Sequence, residues 1–308
     1  MADWLSQISL VRRNRSRITF HPCHGGAKTQ KFYPAKQRKF LPITSIMEIK
    51  KLPSATTGRL LYLSSPEQDT AFAALYTQVR EQEGRIYPDE VVQRLPEIDR
   101  GHPLEEEWKM RRDSARRLCR YLRGRPGPLT ILEVGCGNGW LSAQMARIPR
   151  TQVVGLDVNP RELEQAARVF AEVSNLCFVY GNLWQDTPPH HPFDVIVLAS
   201  VVQYFPDLSR LIRRLQEMLK PEGEIHILDS PFYSPETVDS ARHRTAAYYR
   251  ALGVPKMARH YFHHLQEALA PFHPHLAYDP GSFLARIRRR WLRQALSPFP
   301  WFVIRKCP

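Results

Sequence analysis

From Leu129 onward, short apolar runs of strand type alternate with stretches of helical period. The runs occupy 129–134, 152–157, 176–180, 194–199 and 223–229, and helices near 139–148, 160–173 and 206–220 separate most of them. Such alternation predicts a parallel sheet joined by crossovers, with helices on both faces. Ahead of it, 104–122 is a strong helix prediction, with Leu104, Trp108, Ala115, Leu118 and Leu122 along one face and Arg111 inside that stripe. The RPGP that follows ends the helix before the first strand. Upstream, 47–100 holds a short strand in RLLYL, a helix around 67–83 and a second near 88–95. Downstream, 234–270 reads as a helical insertion opened by Ser234-Pro235 as N-cap and first helical residue. A strand near 275–278, a basic helix over 281–296 and a strand over 299–305 close the pattern. No internal repeat interrupts it.

Composition narrows the class. A chain of 308 residues can bury a sizeable core in one large domain or two modest ones. The net charge of +14 raises the prospect of an anionic partner, but it is uneven. Residues 1–46 carry nine Lys/Arg and one acid, without a periodic apolar pattern. That segment is expected to be a basic, disordered extension, or to lie upstream of a true start at Met47. The five cysteines (Cys23, Cys119, Cys136, Cys177, Cys307) form no CxxC pair, which argues against a zinc ribbon or disulfide framework and for a reducing compartment. No apolar run approaches the roughly 20 residues that span a bilayer, and the first residues lack the apolar core of a signal peptide. A cytoplasmic location is expected.

The chemistry concentrates in ILEVGCGNGW, Ile131 to Trp140, where an apolar run breaks into glycines at 135, 137 and 139. Such glycines let the backbone approach a ligand at the carboxyl edge of a parallel sheet. A dinucleotide fingerprint would need a small residue at the position of Trp140, and no Lys-Ser or Lys-Thr follows as a phosphate loop requires. The next strand ends in Asp157, 20 residues after Gly137, where a carboxylate can accept from both ribose hydroxyls. Its alternative role is to cap the helix that begins near Pro160. An adenosine cofactor without pyrophosphate is what remains.

Here the sequence resembles the class I S-adenosylmethionine-dependent methyltransferases, over roughly 104–308, through EVGCGNG at 133–139, LDVNP at 156–160 and DVIVLASVVQYFPD at 194–207. The resemblance is closest to the small-molecule branch of that family. The resemblance implies an α/β fold: a doubly wound, mostly parallel seven-stranded sheet ending in an antiparallel hairpin, under an N-terminal helical cap (47–103) and with a helical insertion (231–272) after the fifth strand. It further implies that Gly135, Cys136, Gly137 and Gly139 pass along the methionine moiety of S-adenosyl-L-methionine, with Glu133 ordering the loop. Asp157 would bind the ribose, Val158 would flank the adenine, and Asn182 would meet the adenine amino group beside Leu183. Ser200 and Val201, leading to Tyr204, would line the sulfonium region. Arg111 would pair with Glu107 one turn earlier or with the methionine carboxylate.

Catalytic candidates are weaker. Asp229 could serve as a base or cap a turn; Tyr204 and His260 are the other catalytic candidates. Tyr248 and Tyr249 suit an aromatic pocket or the core. His260, His263 and His264 share a helical face if RHYFHH is helical, but with no Cys or acidic ligand nearby no metal is expected. In the 281–296 helix, five arginines (286, 288, 289, 290, 293) would form a solvated face over a stripe of Phe283, Ile287 and Trp291. The leading expectation is methyl transfer to a small organic acceptor. A nucleic-acid or protein methyltransferase, and a non-catalytic cofactor-binding protein, are the alternatives.

Overall fold

The computed structural model describes residues 60–66, 70–291 and 294–306. The basic extension 1–46, the proposed start at Met47, Cys23 and Cys307 all lie outside the described residues. The strands are β1 (Leu60–Tyr62), β2 (Leu129–Val134), β3 (Thr151–Asp157), β4 (Leu176–Tyr180), β5 (Phe193–Ala199), β6 (Leu219–Leu228), β7 (His275–Tyr278) and β8 (Trp301–Arg305). The helices are α1 (Thr70–Gln82), α2 (Asp89–Arg94), α3 (Glu105–Arg123), α4 (Trp140–Ala146), α5 (Pro160–Val169), α6 (Leu208–Glu217), α7 (Pro235–Ala251) and α8 (Phe283–Trp291).

One sheet takes them all, in the order β1-β4-β3-β2-β5-β6-β8-β7. Pairing is parallel except at β8, which lies antiparallel between β6 and β7. The seven expected strands are present; the eighth is β1, the RLLYL run, which adds to the edge beside β4 with Leu60 opposite Phe178. Its three residues give no periodicity from which a place in the sheet could be read. Strand order reverses at β2, between β3 and β5, so a ligand crevice belongs at the carboxyl ends of these three.

The inner strands are buried on both faces, which explains their continuous apolar runs: Ile131, Val153 and Val195 face one core, Leu132, Val154 and Ile196 the other. The first core is closed by α3, α4 and α5 through Leu118, Leu141 and Leu163, the second by α6 through Leu211 and Leu215. Two helix starts are capped by side chains, and the cap ahead of Pro160 is Asn159 rather than Asp157. Asn159 Oδ1 accepts from Glu162 N–H ahead of Pro160, and Asp207 Oδ1 accepts from Arg210 N–H.

Two expectations about the insertion and its sequel need correction. Within 234–270, α7 is followed by 3-10 turns at Pro255–His260 and Gln266–Phe272, and 261–264 is not helical. The shared face of His260, His263 and His264 therefore does not form: His263 Nε2 lies 2.9 Å from Thr245 Oγ1, and His264 Nε2 lies 3.2 Å from the carbonyl of Val202. The basic helix is shorter than expected, and it meets the body through Ala285 rather than through an apolar stripe. Phe283 and Trp291 are 67% and 75% exposed.

Candidate active site

At the carboxyl edge of β2 the glycine loop is tied to its neighbour strand. The N–H groups of Gly135 and Cys136 both donate to the carbonyl of Leu156, at 2.8 and 3.2 Å. Gly139 has φ +74°, and a Cβ there would sit 2.5 Å from the ring of Phe178 and 3.0 Å from Ala166. The tight helix-to-strand contact thus falls one residue earlier than in a dinucleotide loop, which is why Trp140 is tolerated next to it. Gly135 has φ +73°, and a Cβ on it would overlap Val201, 2.3 Å away. Loop and β5 edge are in contact with nothing to spare.

Above this edge lies a cavity of about 370 Å³, within the range of small-molecule sites. Every candidate residue read from the sequence borders it except Gly139, which packs beneath the loop, and His260, which stands against Phe72 at 5.5 Å between ring centres. His260 thus stands behind a wall of the cavity rather than in its lining.

Asp157 holds the loop as well as facing the cavity. Its Oδ2 accepts from Gly137 N–H at 2.8 Å, and its Oδ1 accepts from Val158 and Asn159 N–H at 2.7 and 2.8 Å. Burial raises its carboxyl above the ordinary range against the pull of those N–H groups. Oδ1 is filled by two donors; Oδ2 retains an acceptor position. Glu133 turns out to steady α4 rather than the loop amides: its Oε2 accepts from Ser142 Oγ, and burial pushes its carboxyl up to about 8. Cys136 offers the cavity only backbone, since its thiol is buried and a Cβ on Gly155 would lie 2.9 Å from Sγ. Asn182 is likewise engaged: its N–H donates to Asp186 Oδ2 at 2.6 Å, and its Oδ1 accepts from Trp184 N–H at 3.0 Å. The side-chain carbonyl meant for an adenine amino group is already shaping the turn.

On the β5 and β6 side, Ser200 Oγ donates to the carbonyl of Asp229 at 3.0 Å. Asp229 Oδ1 accepts from Ser114 Oγ and Ser297 Oγ, at 2.8 and 2.7 Å. The carboxylate therefore ties α3 and the approach to β8 onto the end of β6. Arg111 has the partner one turn earlier: its Nε donates to Glu107 Oε1 at 2.9 Å, while Arg85 grips the same carboxylate with two bonds of 2.6 Å. Burial opposes ionisation of Glu107, but the two guanidiniums hold its carboxyl down at about 2. The network continues from Arg85 to Glu83 and on to the Tyr248 hydroxyl.

The far end of the cavity is aromatic. Tyr204 meets Phe72 edge-on at 5.7 Å, Tyr76 at 5.6 Å and Tyr261 at 6.1 Å between ring centres, and Tyr249 stands 6.2 Å from Tyr261. Phe72 and Tyr76 come from α1, Tyr249 and Tyr261 from the insertion. Sequence reading missed α1 entirely as a wall of the site, and with it Arg80. It also missed Glu162, three residues past the N-cap, whose position reads as an ordinary first-turn acid.

Strand order, glycine loop and a carboxylate at the end of β3 define a Rossmann-like site for a nucleoside cofactor. Residues 131–223 match the family described as a methyltransferase domain. Relatives include the ubiquinone biosynthesis O-methyltransferase of Neisseria meningitidis serogroup A, 32% identical over 31% of this chain and 41% of that protein. The malonyl-[acyl-carrier protein] O-methyltransferase of Halalkalibacterium halodurans is 29% identical over 31% of this chain and 37% of its own length. The alignments thus span about two-fifths of these relatives. Among solved structures, the plantazolicin methyltransferase BpumL in complex with SAH superposes with a TM-score of 0.46 at 16% identity, over 75% of this chain and 99% of that one.

The residues present fit the cofactor. The buried Glu162 Oε2 beside Gly137 has no hydrogen-bond partner, and the N–H of that same glycine is held by Asp157 Oδ2. Among the described residues, no group of three or more His, Cys, Asp or Glu could hold a metal ion, and no helix is long and apolar enough to cross a membrane.

Proposed function

We propose that the chain is an S-adenosyl-L-methionine-dependent methyltransferase that acts on a small organic acceptor in the cytoplasm. One observation carries this reading: a single cavity joins the glycine loop and Asp157 at one end to the rings of Tyr76, Tyr204 and Tyr249 at the other. The bound cofactor supplies a methyl on a sulfonium, open to in-line displacement by a nucleophile. The protein's part is to hold, align and dry the site. Asp157, which keeps the loop in place through Gly137, would hold the ribose side, and Val158 and Leu183 would flank the base. Gly135 and Gly137 would give the methionine portion room along the backbone, and Arg111, steadied by Glu107, would meet its carboxylate. Ser200, Val201 and Tyr204 would border the transferring methyl. The aromatic end takes an acceptor with a planar or apolar body, since ring edges and faces reward such surfaces. A positioned base is needed only where the acceptor must lose a proton.

The test is incubation of the full chain with methyl-labelled cofactor and cell extract separated into small-molecule, protein and nucleic-acid fractions. Label should enter the small-molecule fraction and vanish with Gly135→Val. Label confined to protein or nucleic acid would reject the acceptor class, and binding without transfer to any fraction would reject the enzyme.

A further inference from the structure

α1 runs along the whole cavity on one face. Phe72, Tyr76 and Arg80 follow at i, i+4 and i+8, so they stack on successive turns. The first two meet Tyr204 at the aromatic end. Arg80 reaches the opposite end, where its Nε stands 3.8 Å from Glu162 Oε1. That separation is too long for a hydrogen bond. Glu162 is buried and Arg80 half-buried, with side-chain exposures of 9% and 17%, and Arg80 Nε and Glu162 Oε2 each have no hydrogen-bond partner. Unpaired polar atoms in such a place are costly unless a ligand completes them. Around the pair, α1 is anchored to the start of α5: Arg161 Nη1 donates to Glu81 Oε1 at 2.7 Å, and Asn159 Nδ2 donates to Thr77 Oγ1 at 3.3 Å. Its other flank packs Val79 against Tyr249, Val254 and Met257 of the insertion.

We propose that Arg80 and Glu162, with Asp157, form a site for a vicinal diol, the ribose of the cofactor, and that filling it fixes α1 over the acceptor end. The proposal rests on the cofactor reading of the preceding section. Glu162 Oε2 lies beside Gly137, whose N–H is held by Asp157 Oδ2, so the two carboxylates flank one loop residue. One hydroxyl can donate to Asp157 and the other to Glu162, while an Arg80 N–H donates to a hydroxyl oxygen. That arrangement satisfies the orphaned atoms and leaves a hydroxyl-free ligand unable to do so. Because Phe72 and Tyr76 share a helix with Arg80, cofactor bound first would set the acceptor wall, giving an ordered sequence of binding.

Calorimetry on the full chain separates the claims, with S-adenosylhomocysteine and its 2′,3′-dideoxy analogue as probes. The wild type should prefer the diol strongly, and Glu162→Leu should shrink that preference by about tenfold while leaving the dideoxy analogue nearly unaffected. Glu162→Gln, which keeps volume and some hydrogen-bonding capacity, should shrink it less; Arg80→Met should shrink it as well. Hydrogen exchange should show α1 amides protected by S-adenosylhomocysteine and much less by the dideoxy analogue. If the variants weaken both ligands equally, or if both ligands protect α1 alike, the diol site is overturned. Failure of the wild type to bind either ligand would instead reject the cofactor reading.

Discussion

Glu133→Gln gives a prediction whose size follows from burial. Glu133 is 3% exposed and its carboxyl is pushed by burial from an ordinary 4.5 to about 8. Its folded value therefore exceeds the unfolded one, so the native state binds the proton more tightly. The stability this contributes is fully present below about pH 4.5, is lost progressively as pH rises to about 8, and changes no further above that. At about 1.4 kcal/mol per pH unit, the native state is disfavoured by roughly 3 kcal/mol at pH 7 and by less than ~1 kcal/mol at pH 5. Gln keeps the volume and can still accept from Ser142 Oγ, but it never ionises. An unmatched amide N–H costs it about 1–2 kcal/mol at every pH. Urea unfolding of wild type and variant at pH 5, 7 and 9 reads the difference. The variant should gain about 2 kcal/mol on the wild type between pH 5 and 7, and further at pH 9. A stability difference that stays constant across the three pH values would refute the reasoning, because it would mean that Glu133 ionises as freely in the fold as outside it.

Gly139→Ala should cost about 2–4 kcal/mol in thermal unfolding, since its Cβ would overlap Phe178 and its φ is +74°; an unchanged melting temperature would contradict the packing described. Glu107→Gln should destabilise by about 2–4 kcal/mol, because Arg85 and Arg111 would lose the carboxylate they share, and a loss under ~1 kcal/mol would mean that the network is not structural. Arg111→Met should weaken S-adenosylhomocysteine by about 1–2 kcal/mol while leaving adenosine, which lacks a carboxylate, nearly unchanged. Equal loss for both ligands would assign Arg111 to Glu107 alone.

The parallel core was legible because burial on both faces writes itself as apolar runs, and the glycine loop because its φ values and close contacts admit little else. Asp157 could be located from the end of one such run. What stayed hidden depended on tertiary contact. Nothing in TAFAALYTQVREQ marks it as the wall of a cleft; its role comes from Arg80 meeting Glu162 and Phe72 meeting Tyr204, more than 80 residues away in each case. Glu162 and Asn182 illustrate the converse, as residues whose local turn roles were readable or plausible but whose remaining hydrogen-bond partners were not. The histidine face failed for a local reason: RHYFHH leaves the helical path at Tyr261, so spacing measured on a helix no longer applied. The arginine helix failed for a packing reason, since Ala285 provides a narrower contact than the Phe283–Ile287–Trp291 stripe would have.

The central claim is that the glycine loop and Asp157 bind an adenosine cofactor. Its most direct test is calorimetric titration of S-adenosylhomocysteine into the full chain, wild type and Asp157→Ala side by side, with melting curves confirming that both are folded. The account predicts one site per chain in the wild type and an affinity lower by about 1–3 kcal/mol in the variant, as ribose hydroxyls lose a charged acceptor and Gly137 loses its anchor. No binding by the folded wild type, or equal affinity in the two proteins, would contradict it.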